Sequence, residues 1–327
     1  MKFSVSLFQS RTSAQPDREI YGQAIEQIQL AEALGFHSAW FNEQHFNDFG
    51  VCPDPLGFAA YLAGVTKKIR LGTAVVVLSL HNPVVIAERA ALVDQLSEGR
   101  LDLGIGKAPP KQNNVAFGIE PDKSEARFYE AHELLQHAWA NEVFSFQGKF
   151  FQADDISIVP ETFQKPHPPI WVASFGNPSS ITFAAQHGYS IISTFGGDSL
   201  KQNMALYQQQ FQGNGRPMLA VGRAIHLHDD GEVARREMLG PARWYVDHNP
   251  GRRGPILSYE LALNDYFTKL GIIGSVQECI EQIRILHNQY HVEHLVCIFG
   301  LGGLAPDKIM QAMRLFAERV MPEFADS

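Results

Sequence analysis

The 327-residue sequence has only three cysteines, Cys52, Cys279 and Cys297, and their spacing suits neither a metal site nor a redox pair. No apolar run reaches the roughly 18 residues that a membrane-spanning helix needs, and the N-terminus shows no signal-peptide hydrophobic stretch. The net charge is −8, without any basic run, which argues against a nucleic-acid or anionic-membrane partner. These absences predict a reduced, cytoplasmic protein.

Several catalytic motifs are also missing from the sequence. It contains no P-loop and no GxGxxG, and the order of residues reveals no Ser-His-Asp or Cys-His arrangement. His226 and His228, followed by two aspartates, could bind a metal, but two alternate residues of one strand rarely suffice alone. We expect a surface cluster that caps the next helix there, and no metal site. We expect His291 and His294, which flank a strand start, to be solvated.

What the sequence does contain is an alternation of strand and helix patterns typical of an α/β protein. Hydrophobic residues make up 45% of the chain and charged residues 19%, which fits a sizeable core. Eight apolar segments, each followed by a helical pattern, are predicted as strands: 3–7, 38–41, 69–78, 101–105, 170–174, 190–195, 219–227 and 293–299. This count favours a (β/α)8 TIM barrel, although periodicity alone leaves a doubly wound sheet open.

We expect one barrel domain over residues 1–327, with two departures from the alternation. Residues 143–159 read as a hairpin that turns at Gln147-Gly148, inserted before the fifth strand. Residues 247–273 read as an irregular segment, rich in glycine and proline at its start, which could cover the barrel mouth.

The stretch from Trp40 to Gly50 is the strongest candidate for a site. The apolar strand Ser38–Phe41 ends abruptly in Asn42-Glu43-Gln44-His45, which presents amide, carboxylate, amide and imidazole groups in a row. Ligands bind at the carboxyl ends of the strands in such barrels, so these polar groups have room to face one. The alternative is a polar loop that pairs only with its own backbone.

A second candidate follows the fifth predicted strand. Ser174-Phe175-Gly176-Asn177-Pro178-Ser179-Ser180 brings a glycine, an amide, hydroxyls and the N–H groups of a helix start together, which suits an anion. An ordinary capped helix start is the alternative. Gly104-x-Gly106-Lys107 at the end of the fourth strand offers close backbone approach beside a cation, although a lone GxG is weak evidence.

Several ordered motifs together resemble the bacterial-luciferase-like flavin monooxygenases, and the luciferase alpha chain in particular. The resemblance covers essentially the whole chain. It rests on Met1-Lys2-Phe3, Glu43 to Phe46 with Phe49-Gly50, Gly72-Thr73-Ala74, His81-x-Pro83-Val84, Asp94-Gln95-x-Ser97-x-Gly99-Arg100, Phe117-Gly118, Ala184-Ala185, Glu278-Cys279-Ile280, Met313-x-Leu315-Phe316 and Met321-Pro322. It implies a (β/α)8 barrel that binds reduced FMN.

The resemblance also implies roles for individual residues. Glu43, Gln44 and His45 would form the catalytic group, with His45 as the acid/base and Gln44 where the luciferase alpha chain has its catalytic histidine. A non-prolyl cis peptide is expected near the flavin ring, and Glu125 replaces a phosphate-binding arginine, with Arg127 close by in sequence. The residues implied to contact FMN are Thr73, Ala74, Val75, Gly106 (where the alpha chain has a reactive cysteine), Lys107, Ser174, Gly176, Asn177, Ser179, Ser180, Thr194 and Phe195.

The resemblance implies a two-component monooxygenase, to which a separate reductase supplies FMNH2 for the oxidation of a small organic substrate by O2. A homodimer through the helices at 55–65 and 83–96, which are rich in small residues, is implied as well. Two alternatives stay open. One is a deazaflavin F420-dependent oxidoreductase of the same superfamily, and the other is a non-catalytic flavin-binding protein or partner subunit, because Gln44 cannot titrate.

Overall fold

The computed structural model describes residues 1–13, 15–107, 111–174, 177–194, 197–215, 218–248 and 258–325, with the side chains of 197 and 198 outside the description. The chain divides into two compact units. The first unit comprises Met1–Trp40, Asn47–Val51 and Ser174–Ser327, and the second comprises Phe41–Phe46 and Cys52–Ala173.

The strands belong to one parallel sheet and one separate hairpin. In chain order they are β1 Lys2–Leu7, β2 Ser38–Phe41, β3 Arg70–Thr73, β4 Val76–Val77, β5 Leu101–Gly106, β6 Phe144–Gln147, β7 Gln152–Ile156, β8 Ile170–Ser174, β9 Ser190–Ser193, β10 Leu219–His228, β11 Gly271–Ser275 and β12 His294–Phe299. The sheet order is β11-β10-β12-β1-β2-β3-β5-β8-β9, and β9 also pairs with β10, so the order returns on itself. The fold is the predicted (β/α)8 barrel, and the doubly wound alternative is wrong.

The helices are α1 Asp17–Ala33, α2 Pro55–Val65, α3 Pro83–Leu96, α4 Lys111–Ala116, α5 Ser124–Ala140, α6 Pro178–Gln186, α7 Gly197–Gln210, α8 Gly231–His248, α9 Tyr259–Asp265, α10 Val276–Tyr290 and α11 Pro306–Arg319. Local chemistry fixes their starts. Asp54 and Asn82 accept hydrogen bonds from the first turns of α2 and α3, each with proline at the first helical position. Ser275 and Glu278 form the predicted capping box of α10. Among the described residues, no helix combines the length and apolarity needed to cross a membrane.

The second unit packs its helices closely against β3 and β5. Leu71, Leu101 and Leu103 are fully buried, and Arg70 binds the Asp102 carboxylate at 2.8 Å from its Nε. The predicted hairpin is confirmed as antiparallel β6 and β7. The predicted third strand is divided into β3 and β4, on either side of a cis peptide bond between Ala74 and Val75, which agrees with the family resemblance.

The segment 247–273 is more regular than its sequence suggested. Its residues 249–257 lie outside the described part of the chain, but α9, a π-helical turn Tyr266–Leu270 and strand β11 follow. In the sequence, Ile272-Ile273 is a two-residue apolar run between two glycines, which is too short to predict a strand. It forms one because it pairs along the end of β10. A role for this segment as a cover stays a prediction.

Histidines of the first unit correct two further expectations. His294 is 1% exposed, and its Nε2 lies 2.7 Å from Ser4 Oγ, which is 2.6 Å from Ser38 Oγ. We call Ser4, Ser38 and His294 the strand-start cluster. The prediction that His294 is solvated was wrong, because β1 and β2 supply hydroxyl partners that its own neighbours in sequence do not reveal.

His226 is also buried, whereas a surface position was predicted. Its Nε2 lies 2.8 Å from Glu237 Oε2, and the other oxygen of Glu237 accepts from Lys308 at 2.8 Å. The sequence pattern did not reveal the burial of His226, because its partner Glu237 lies on α8 and the Lys308 that binds Glu237 lies on α11. The predicted cap is confirmed at His228, whose Nδ1 accepts from the Asp230 amide, while Asp230 Oδ1 accepts from the Glu232 amide at the start of α8.

Candidate functional site

A buried carboxylate with two histidines forms the centre of the candidate site in the second unit. The side chain of Glu43, just after β2, is fully buried. Its Oε1 accepts hydrogen bonds from Nε2 of His45 at 2.7 Å and from Nε2 of His81 at 2.9 Å. Its Oε2 accepts from the Val77 amide at 2.9 Å. We call Glu43, His45 and His81 the carboxylate cluster.

The protonation of this cluster follows from its hydrogen bonds. Burial on its own raises the pKa of Glu43, but the bonds from His45, His81 and the Val77 amide outweigh it and leave the pKa below its ordinary value. An ionised carboxylate only accepts hydrogen bonds, so both histidines carry a proton on Nε2. Each Nε2 proton is therefore held by Glu43, and Nδ1 is the remaining ring nitrogen of each histidine.

The exposed side of His45 is aromatic. The Phe117 ring packs edge-on against the imidazole with centroids 4.9 Å apart, and the Phe46 ring lies 5.7 Å away. Phe46 and Phe117 are 61% and 40% exposed. The two rings are 5.9 Å apart, and neighbouring exposed apolar side chains of this kind suit contact with an organic ligand.

Asn42 and Gln44 flank Glu43 in sequence but differ in their surroundings. Gln44 is half-buried, and its amide N–H donates to the Cys52 carbonyl at 2.9 Å. Asn42 is 5% exposed, and neither its Oδ1 nor its Nδ2 has a hydrogen-bond partner among the described residues. Buried polar groups without a protein partner are rare. The isoalloxazine edge, with adjacent N–H and carbonyl groups, fits an amide that must both donate and accept.

The residues predicted beside the flavin ring are mostly occupied by contacts between strands. The Thr73 hydroxyl donates to the Gly104 carbonyl at 2.8 Å and accepts from its amide, so this side chain ties β3 to β5. The Val75 carbonyl accepts from the Glu43 amide at 3.3 Å, which places it beside the carboxylate cluster. A Cβ at Gly106 would overlap Cγ2 of Val75, so the Val75 side chain fills the space that a side chain at 106 would need.

Lys107, the predicted phosphate cation, has an acidic neighbour. Its Nζ donates to Glu125 Oε1 at 2.5 Å and to the Tyr129 hydroxyl at 2.8 Å. Burial lowers the pKa of Lys107, but these two hydrogen bonds outweigh it and raise the pKa above its ordinary value.

Arg127 does not compensate for the arginine that Glu125 replaces. Its Nε donates to the Ser79 carbonyl and its guanidinium lies over the Phe151 ring.

The second predicted site lies in the first unit, at the start of α6. Asn177 caps the helix, because its Oδ1 accepts from the amide and the hydroxyl of Ser179 at 3.0 and 2.9 Å. The Ser180 amide bonds the Asn177 carbonyl, and Ser174 accepts a hydrogen bond from Ser193 at its carbonyl. The capped helix start is therefore present, with two N–H groups already used. Thr194 is half-buried after β9, whereas Gly176 and Phe195 lie outside the described residues.

The structure thus brings Glu43, His45 and Val75 together, and adds two residues that were not among the predicted site residues. His81 occurred only within a family motif, since it lies 38 positions from Glu43. Asn42 was noted at the strand end but assigned no role. The sequence could have indicated both His81 and Asn42, because each follows the end of a strand at the sheet edge where ligands bind.

Known proteins similar to this chain include flavin-dependent monooxygenases and, in fold alone, F420-dependent enzymes. A family model described as luciferase-like monooxygenase matches residues 1–291. The chain is 28% identical to the flavin-dependent trigonelline monooxygenase, oxygenase component, of Acinetobacter baylyi, over 100% of this chain and 96% of that protein. It is 26% identical to an alkanal monooxygenase alpha chain of Photorhabdus luminescens, over 98% and 96% of the two chains. The oxygenating constituent of 3,6-diketocamphane monooxygenase from Pseudomonas putida, a type II Baeyer-Villiger monooxygenase solved with FMN, shares the fold, with a TM-score of 0.85, 20% identity and 98% of each chain covered.

Proposed function

Because this chain belongs to the luciferase-like monooxygenase family and is a flavin-dependent monooxygenase, we propose that it is the oxygenase component of a two-component system. In that system a separate reductase supplies FMNH2, and O2 oxidises a small organic substrate. The family resemblance inferred from the sequence is confirmed. Reduced FMN as co-substrate, the reductase and the cytoplasmic location go beyond family membership and are parts of this proposal.

The residues present suit a reduced flavin, which supplies the two electrons that O2 activation requires. Asn42 offers a buried amide without a partner to the ring edge, and the Ala74–Val75 backbone adjoins Glu43. We assign Lys107 to the flavin phosphate as a cation, and the phosphate contacts of Asn177, Ser179 and Ser180 at the start of α6 stay predictions. The contacts of Ser174, Gly176, Thr194, Phe195, Thr73 and Gly106 with the flavin stay predictions.

One observation supports the enzymatic reading most strongly, namely that Glu43 accepts hydrogen bonds from two histidines through one buried oxygen. This arrangement fixes the tautomer of His45, and we assign the role of general acid or base to this ring. Gln44 cannot move a proton but can orient a substrate by donating and accepting hydrogen bonds. The aromatic rings of Phe46 and Phe117 exclude water beside His45.

Turnover with a flavin reductase tests the proposal. The purified protein, FMN, NADH, O2 and a generic reductase should oxidise at least one member of a panel of small N-heterocycles, ketones and aldehydes, with one atom from 18O2 incorporated into the product. Incorporation that depends on this protein supports an oxygenase. Tight FMN binding without any incorporation over the panel favours the non-catalytic partner subunit, and reduction that requires F420 instead of FMNH2 favours the deazaflavin alternative.

A homodimer through α2 and α3 is also proposed. The small residues that suggested it are mostly used within the second unit, because Ala59, Ala63, Ala87, Ala90 and Ala91 are buried there. The outer faces of both helices instead carry large apolar side chains, namely Tyr61, Val85, Leu92 and Leu96, each 46–56% exposed. An apolar face of this kind suits a second copy.

Light scattering should give twice the chain mass at micromolar concentration, and Leu92→Glu with Leu96→Glu should halve it. A monomeric wild type would contradict the dimer.

A further inference from the structure

A cavity of about 520 Å³ lies in the first unit, outside the residues assigned to the flavin. The loop after β1, one face of α1, the second half of α8 and the loop after β12 form its walls. Its volume is within the range of small-molecule sites. Its apolar lining includes Phe8, Ile20, Trp244, Leu304 and Ile309.

The lining of this cavity is uncharged. Among the described residues that line it, none is Asp, Glu, Lys, Arg or His, and its polar groups come from glutamine, serine and threonine side chains. An ionised ligand would be buried there without a counter-charge, which is strongly unfavourable. The cavity therefore favours a neutral ligand over a phosphate or a carboxylate.

Gln9 is the unusual residue of this lining. It is 7% exposed, and neither Oε1 nor Nε2 of its side chain has a hydrogen-bond partner in the described part of the chain. Its backbone also adopts a φ of +44°, which is uncommon for a non-glycine residue. The Gln9 carbonyl accepts from the Val51 amide at 3.1 Å, which holds this conformation in place. Strain and an unsatisfied amide at one cavity wall are typical of a binding residue.

Two aromatic side chains of the lining are positioned by a third ring. Phe8 packs edge-on against Phe49 with centroids 5.4 Å apart, and Phe49 stacks on Trp244 at 6.1 Å with an interplanar angle of 14°. Rings held in this way present a firm apolar surface to a flat ligand.

We infer that this cavity binds a flat, uncharged heterocycle with a cyclic amide, whose N–H and carbonyl pair with the Gln9 side chain. A glutamine amide donates and accepts side by side, and a lactam edge offers the complementary pair. Gln9 is part of the cavity wall, so its amide is the wall group that a lactam edge would meet. This inference does not depend on the proposed function, because binding requires neither flavin nor O2.

Isothermal titration of the flavin-free protein with 2-quinolinone and with N-methyl-2-quinolinone tests the site. The methyl group removes the N–H and leaves the Gln9 oxygen unpaired, so the parent lactam should bind about 10-fold more tightly. Gln9→Leu should remove this preference, and Gln202→Leu, on the exposed face of α7, should keep it. Equal affinity for the two probes, or a preference that survives Gln9→Leu, overturns the inference, as does the absence of saturable binding.

Stability gives an independent readout of the same residue. Replacing a buried amide that has no partner by an apolar side chain of similar size is neutral or stabilising. Gln9→Leu should therefore leave Tm unchanged or higher while the lactam preference is lost. A marked fall in Tm would mean that the Gln9 amide serves folding, and would overturn its assignment to a ligand.

Discussion

Two histidines at opposite ends of parallel strands show how differently this fold uses the same side chain. His45 follows the carboxyl end of β2 and pairs with a buried carboxylate, whereas His294 begins β12 and pairs with the hydroxyl of Ser4. Burial lowers the pKa of His294 to about 3, with smaller contributions from His37 and Lys2. His294 is therefore neutral across the physiological range.

The difference lies in the partner and in the end of the strand. A carboxylate can compensate a positive imidazole and a hydroxyl cannot, so only the carboxylate cluster supports a change of charge during a reaction. In (β/α)8 barrels the carboxyl ends of the strands serve chemistry and the amino ends serve stability. The strand end at which each histidine stands is visible in the sequence, but the partner of each histidine is not.

The largest expected effect is on catalysis by His45. His45→Ala should reduce coupled product formation by about 10²–10⁴-fold, which is the usual contribution of a general acid or base. Hydrogen peroxide release should rise and FMN affinity should stay nearly constant, because the change affects proton transfer and not flavin binding. Stopped-flow absorbance with FMNH2 and O2, together with a peroxide assay, measures both effects.

The exposed histidine His137 of α5 provides the matched control, and His137→Ala should behave as wild type. If His45→Ala retains wild-type turnover and peroxide yield, the carboxylate cluster is structural and the comparison with His294 loses its meaning. Gln44→His should bring the site nearer the luciferase arrangement and lower peroxide release.

The next effect concerns stability and should separate His294 from His45. Between pH 6.5 and 3 the unfolded chain binds a proton at residue 294 and the folded chain does not. The free energy of unfolding therefore falls as the pH falls, by about 2 kcal/mol at pH 5 relative to pH 8. Urea denaturation across this range, with wild type and His294→Gln, measures the contribution.

His294→Gln removes the titrating ring, so its stability should vary less with pH even if it is lower throughout. His137→Ala should keep the wild-type slope. An unchanged slope in His294→Gln would show that residue 294 is accessible to protons in the folded state, against its burial in the strand-start cluster.

The smallest effect concerns Lys107. Its carboxylate partner, Glu125, is exposed, whereas the carboxylate partner of His45 is buried. Lys107→Ala should weaken FMN binding about 10-fold or more, since a charge-assisted hydrogen bond contributes roughly 1.5–3 kcal/mol. Glu125→Gln should strengthen it by only about two- to fivefold, because an exposed ion pair is worth up to about 1 kcal/mol. Titration with FMN and riboflavin measures both, and riboflavin bound as tightly as FMN would rule out the phosphate role.

Much of the fold was predictable because the apolar periodicity and helix caps are local signals. Asp54-Pro55, Asn82-Pro83 and Ser275 with Glu278 mark helix starts within four residues of sequence, and all three are confirmed. Strand β11 was not predicted, because its formation depends on pairing with β10 rather than on its own short apolar run.

The site was predictable only in part, for the same reason. Glu43 and His45 stand next to each other in the chain, so their cluster was visible in the sequence. His81 joins them through folding, and the burial of His226 and His294 depends on partners from distant elements. Residue types near a strand end reveal that chemistry is available there, but their partners emerge only from the three-dimensional structure.

The packing of Val75 into the space beside Gly106 has a consequence for how this site can change. A side chain at 106 would meet Cγ2 of Val75, so Val75 must shift or be replaced to make room for it. The effects of substitutions at these two positions are therefore expected to be non-additive. A cysteine at 106 should therefore be tolerated better together with a smaller residue at 75 than alone. The Cγ2 methyl group of Val75 therefore influences which substitutions position 106 can accept.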